Sequence, residues 1–236
     1  MMHFSYKRIK AIFIKDLKDL QRNSYTIFTL IIPILFVLFI RYTDEPGIDI
    51  GALPINLSLL IVGVFIQAAI VAEEKEKNTL RGLLLSPVKP FEVLVGKSML
   101  SAILAILVML ISMFIINNNI PSPIPFMISI GLSLVIYISL GTLLGLFSRS
   151  VMDTSMIGMP VLLIFGMSPI IKALSENDAL IKILDYLPNE QLDMIWTDLS
   201  NEKMFFDISG NLLILFTWGI LSIIITLAIY KKQRFD

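Results

Sequence analysis

The sequence predicts an all-α integral membrane protein that crosses the bilayer six times. Three observations carry this. The composition is 56% hydrophobic and only 16% charged, with a mean hydropathy of +0.83, whereas soluble domains average about 45–50% apolar and about 25% charged. Several apolar runs approach or exceed the ~20 residues that cross a hydrocarbon core. The nineteen basic residues fall unevenly on the connections that alternate with those runs, which sets an orientation. There is no cysteine and a single histidine, His3, so no disulfide framework, metal site or histidine-based catalytic group is expected.

Residues 1–23 read as an amphipathic helix. Phe4, Ile9, Ile12, Phe13, Leu17 and Leu20 recur on one face, and Lys7, Arg8, Lys10, Lys15 and Lys18 occupy the rest. Such a helix lies on an anionic leaflet. Its charges are too many and too mixed for a cleavable signal. Spans are expected at 25–42, 54–72, 98–116, 126–147, 154–170 and 210–230. The first contains Pro33, and the fifth is broken by Gly158, Pro160, Gly166 and Pro169. Gly131, Gly141 and Gly145 of span four are small enough to let helices of one subunit approach closely. Asp44, Glu45, Asp49 and the pair Pro46-Gly47 mark a polar turn between spans one and two. Pro121, Pro123 and Pro125 close the turn between spans three and four.

Segment 171–209 is too polar to cross. Leu180, Ile181, Ile183, Leu184, Leu187, Leu192, Ile195 and Trp196 recur there at spacings of three and four, which predicts helices on the membrane surface or dipping into it. With both termini in the cytosol, fifteen of the nineteen basic residues are cytosolic; Arg41, Lys172, Lys182 and Lys203 are outside. The acidic residues show the reverse bias.

The remaining stretch, 73–97, is a charged island. Residues 73–77 are consecutive charges, which no bilayer core accepts. Leu80, Leu83 and Leu84 follow at the spacing of one helix face, and Pro87 ends that helix. Leucines on one side and charges on the other suit the groove of a soluble partner. The plainer reading is that the charges anchor two spans at the surface.

The run Glu74-x-Glu76-x-x-Thr79-Leu80-x-x-Leu83-Leu84-x-x-Pro87, followed by Gly96-Lys97 at the head of a span, resembles the first cytoplasmic loop of the ABC-2 type permeases. These are membrane subunits of many ATP-driven exporters. Asn78 stands where many members have glycine. The resemblance extends through span count and order over almost the whole chain. It implies one ABC-2 transmembrane domain over 1–236, with an elbow helix over 1–23. A coupling helix in 73–97 would dock on an ATPase, using Glu74, Glu76, Lys77, Thr79, Leu80, Leu83, Leu84 and Pro87. The leucines would fill the groove, with Glu74, Glu76 and Lys77 at its rim. A re-entrant extracellular hairpin in 171–209 would turn at Leu187, Pro188 and Asn189.

The partners implied are cytosolic ABC ATPase subunits, which bind ATP and Mg2+, a second permease copy or paralogue, and the lipid of a bacterial cell membrane. No cofactor bound by this chain and no nucleic acid is implied. The transport path would form between two copies at spans one and five, loosened by Pro33, Gly158 and Pro160, with Gln67 of span two facing it. The cargo would be hydrophobic or amphipathic: a peptide such as a modulin or bacteriocin, or a drug. Small size adds a fainter resemblance to permeases that export phenol-soluble modulins. The second reading is a non-transporting anchor or immunity protein whose cytosolic loop binds a partner.

Two enzymatic readings are excluded. Gly96-Lys97-Ser98 looks like the end of a phosphate-binding loop, but Phe91 stands where its first glycine belongs and no strand precedes it. Glu73-Glu74 at a span end lacks the histidines of a membrane metalloprotease. The spans hold almost no ionisable residues, which argues against an ion-coupled carrier. The chain is therefore expected to be non-catalytic by itself.

Overall fold

The computed structural model describes residues 6–43, 52–77, 90–117, 120 and 122–232. Regular structure among them is helical throughout: α1 (Tyr6–Leu20), α2 (Ser24–Thr43), α3 (Leu53–Glu76), α4 (Pro90–Ile116), α5 (Pro123–Phe147), α6 (Val151–Leu174), α7 (Asp178–Asp185), α8 (Pro188–Ser200) and α9 (Ser209–Lys232). Helices α2–α6 and α9 are long and apolar enough to cross a membrane. The chain is an all-α integral membrane protein with six such helices.

α3 is the axis of the bundle. Its apolar window is 83% buried, against 22% for α2, 22% for α9 and 11% for α6, so these three give most of their surface to lipid or to another chain. Pro54 opens α3 in the first turn, where a missing N–H is harmless. Ser58–Ile66 is a π-helical stretch, which the uninterrupted apolar run does not announce. α5 lies directly on α3. A Cβ on Gly145 would sit 2.6 Å from the Ala68 carbonyl oxygen, and one on Gly141 would meet that of Val64. Two glycines four residues apart thus let the two backbones touch. Gly131 faces open space and takes no part.

α2 keeps Pro33 in its interior. Proline leaves the Thr29 carbonyl without a helical donor; neighbouring packing tolerates this in a membrane helix. α6 starts at Val151, capped by Ser150, whose Oγ accepts from the Asp153 amide at 3.2 Å. It runs as one helix through Gly158, Pro160, Gly166 and Pro169, where breaks were expected, to Leu174, past the end expected near residue 170.

α4 begins at Pro90, not at 98. The charges Glu92 and Lys97 suggested a loop, yet both are buried. The island expected over 73–97 is therefore helical at both ends, and its middle, 78–89, lies outside the described residues.

Segment 171–209 closes the opposite end of the bundle. Asn177 caps α7, its Oδ1 accepting from the amides of Ala179 and Leu180. α8 buries Leu192, Ile195, Trp196 and Leu199 in the main core. Trp196 meets Phe126 of α5 edge to face, with centroids 5.6 Å apart. The end carrying α1 is called proximal below, and the end carrying α7–α8 distal.

Candidate functional site

α1 seats on α4 at the proximal end. Ile9, Ile12 and Leu20 are buried, and an added Cβ on Gly96 would lie 3.1 Å from the Ile12 side chain. Asp16 falls on the same stripe, four residues from Ile12 and four from Leu20. Burying the stripe therefore buries a carboxylate, which demands a partner. Lys97 supplies one: its Nζ is 3.5 Å from Asp16 Oδ2 and 2.9 Å from Glu74 Oε1. Lys15 Nζ lies 2.5 Å from the same Glu74 oxygen and 3.6 Å from Asp16 Oδ1. Two carboxylates and two ammonium groups thus bind α1, α3 and α4 together, with Asp19 3.8 Å from Lys15 at the edge of the cluster. Burial pushes the Asp16 carboxyl above the usual carboxylate range against the pull of Lys97 and Lys15. Burial opposes the charge on Lys15, but Glu74, Asp16 and Asp19 outweigh it and hold that ammonium above the ordinary lysine value.

Residues 75–77 make further contacts. Lys75 Nζ donates to the Leu146 carbonyl at 2.5 Å, in the last turn of α5. Glu76 Oε2 accepts from the Val151 amide at 3.0 Å. That amide opens α6, where the first turn has no carbonyl of its own to bind. Lys77 pairs with Glu73 at 2.6 Å on the surface.

Of the residues expected at a partner's rim, Glu76 and Lys77 are solvent-exposed. Glu74 turns into the bundle, and Glu76 caps α6. Thr79, Leu80, Leu83, Leu84 and Pro87 lie outside the described residues. Gly96-Lys97, which resembled a phosphate loop, is instead the seat of α1 and the hub of its ion pairs.

Gln67, expected to face a path, is fully buried between three helices. Its Oε1 accepts from Ser101 of α4, and its Nε2 donates to Thr142 of α5 at 2.9 Å. Pro33 is buried on α2, and Gly158 packs on Phe65 of the π-helical stretch. Pro160 is exposed on α6. α2 and α6 meet through Tyr25 and Ser155, whose hydroxyls are 2.6 Å apart.

At the distal turn, Leu187 precedes α8 and Pro188 opens it. Gln191 Nε2 donates back to the Asp185 carbonyl at 2.6 Å. Asn189 and Glu190 are buried. Ser168 Oγ donates to Glu190 Oε1 at 2.6 Å, and Lys172 Nζ bridges Glu190 and Asp185 at 2.7 and 2.6 Å. Trp218 of α9 donates to the Tyr186 carbonyl at 2.9 Å. The hairpin is therefore fastened to α6 and α9.

Sequence reasoning missed Asp16 and Lys97 at the proximal end, and Ser168 and Glu190 at the distal one. A signal existed for the first two. Each is a charge at a position where helical spacing demands an apolar residue: Asp16 between Ile12 and Leu20, Lys97 between Val93 and Leu100. Nothing in the proximal arrangement positions a nucleophile against a base. The arrangement joins the ends of α3 and α4 to α1, and, through Lys75 and Glu76, to the α5–α6 turn.

Residues 42–228 match the family model described as ABC-2 family transporter protein. No curated protein matches the chain.

Proposed function

The chain belongs to the ABC-2 transporter family, and from that membership we propose that it is the permease subunit of an ABC exporter. It couples ATP hydrolysis on separate cytosolic ATPase subunits to export of a hydrophobic or amphipathic substrate. Membership makes it the transmembrane component of a transporter. The observation that supports coupling is the anchoring of both roots of 78–89. Glu74 and Lys97 join the two roots to each other, and together with Lys75 and Glu76 tie them to three neighbouring elements, α1, α5 and α6. A partner gripping Leu80, Leu83 and Leu84 would move these elements together.

The orientation follows from the basic bias, with the proximal end in the cytosol of a bacterial cell and the hairpin outside. Two copies, identical or paralogous, would enclose the path, with α2 and α6 at the seam. Their exposed apolar faces support this, Phe28, Leu35 and Phe39 on one and Met156, Met159 and Leu163 on the other. The likeness to modulin exporters rests on size and composition, so the cargo is assigned by class only. Gentle solubilisation of the tagged chain tests the reading. An ABC ATPase should copurify, and its hydrolysis should respond to amphipathic peptides. Recovery of the chain with no ATPase would overturn it.

A further inference from the structure

A lateral groove of about 400 Å³ runs between α4, α5 and α9, three of the helices that can cross the membrane. Buried Ile138 and Ser139 of α5 lie at its floor, and exposed Met99 of α4 and Ile223 of α9 stand at its rims. α4 starts at the proximal end and α5 and α9 finish there, so the groove occupies the proximal half of the bundle. On α4 it extends from Leu94 to Ala102, a rise of ~12 Å. That is close to the ~15 Å depth of one leaflet, half of a ~30 Å hydrocarbon core.

The surface of the groove suits hydrocarbon. No charged residue lines it. The hydroxyls of Thr142 and Thr226 are engaged by their own helices, donating to the Ile138 and Ser222 carbonyls at 2.9 and 2.7 Å. Apolar hollows do not hold ordered water, and the volume lies within the ~300–1,000 Å³ of ligand pockets. Volume also limits the occupant. A helix ~12 Å long and ~10 Å across needs roughly 900 Å³, over twice what the groove offers. A single acyl chain is slim enough to lie along it.

Charge marks the headgroup end. Ile223 and Leu227 line the α9 wall, and Lys231 follows at the same four-residue spacing, which keeps it on that side of the helix. Lys231 and Lys232 are exposed in the last turn of α9, and neither has an ion-pair partner among the described residues. Lysines just beyond a membrane helix attract anionic headgroups.

We propose that this groove holds one acyl chain of an anionic glycerophospholipid, with the lipid phosphate beside Lys231. The chain fills the space that packing leaves between α4 and α9, and the headgroup fixes the end of α9 at the membrane surface. The site needs neither an ATPase nor a cargo, so it is tested without them.

Tryptophan probes in proteoliposomes of the full chain read it directly. Ile223→Trp places a probe on the groove wall. Ile225→Trp places one at similar depth, exposed and outside the groove. The signal of native Trp196 and Trp218 is subtracted. Phospholipids with brominated chains quench a probe by contact. At Ile223→Trp, phosphatidylglycerol should be preferred over phosphatidylcholine about fivefold, or ~1 kcal/mol. Ile225→Trp should show no preference. Adding Lys231→Gln and Lys232→Gln should abolish the preference. Ala102→Phe, which fills the groove, should lower quenching at Ile223→Trp, and unchanged quenching at Ile225→Trp shows that this variant is inserted and folded. Equal preference at the two probes, or a preference that survives loss of both lysines, would overturn the proposal. So would no quenching at Ile223→Trp, which would mean that protein covers the groove. Reversal of the quenching by an amphipathic peptide at a few copies per chain would give the groove to cargo and overturn it as well.

Discussion

Lys97 is the residue on which the proximal end depends most. It is 1% exposed and is the buried one of the two cations, with Lys15, that Asp16 and Glu74 share. Removing one partner of a buried ion pair leaves the others desolvated and uncompensated, which costs about 3–5 kcal/mol. Lys97→Met should therefore lower stability by that order in detergent unfolding experiments. Lys77→Met removes the exposed pair with Glu73 and should cost less than about 1 kcal/mol. Equal losses for the two variants would show that the buried cluster does not hold α1 in place. At this scale the sequence was only partly legible. The run of charges 73–77 was visible, and so was its exclusion from lipid. Which charges face inward was not, because that depends on partners 59 residues away, as for Lys15 and Glu74. Asp16 is the exception, since its place on an apolar stripe already demanded a counterion.

Among the elements, the α3–α5 seam is the tightest joint. Gly145 has no room for a side chain, since its Cβ would lie 2.6 Å from a backbone oxygen. Gly145→Leu must push the helices apart and should destabilise by at least the ~1–3 kcal/mol of ordinary overpacking. Gly131→Leu, on the same helix with nothing within 4 Å, should be tolerated. Protease resistance of the two variants in native membranes checks this, and equal resistance would mean that the helices do not meet at Gly145. The sequence offered three glycines in span four without distinguishing them; only the neighbouring helix does. It also placed the start of α4 eight residues late, because Glu92 and Lys97 resemble loop residues until their burial is known. The distal hairpin was more legible. The spacing of Leu192, Ile195 and Trp196 identified the face that α8 buries, and Pro188 marked its first turn.

For the whole molecule, six spans and their order were readable from hydropathy alone. Which span lies at the centre was not. A membrane helix is apolar whether it faces lipid or protein, so its pattern carries little of the amphipathic signal that orients a soluble helix. The structure supplies the missing distinction, with α3 enclosed and α2 and α6 largely uncovered. If those two helices form the seam between copies, a cysteine replacing exposed Met159 of α6 should crosslink between subunits in native membranes. One replacing exposed Ile128 of α5 should not. The opposite pattern would move the seam, and the path with it, to α5.

In the proposed function, the connection 78–89 receives force from an ATPase and delivers it to the bundle. Its most direct test is the hydrolysis rate and copurification of that ATPase with Leu83→Asp. Burying one leucine contributes roughly 1.5–3 kcal/mol, and a carboxylate in its place would have to be desolvated. The variant should insert in the membrane in normal amount, lose the copurifying ATPase and cease transport. A Leu83→Asp chain that retains a fully active ATPase and still exports would contradict the account.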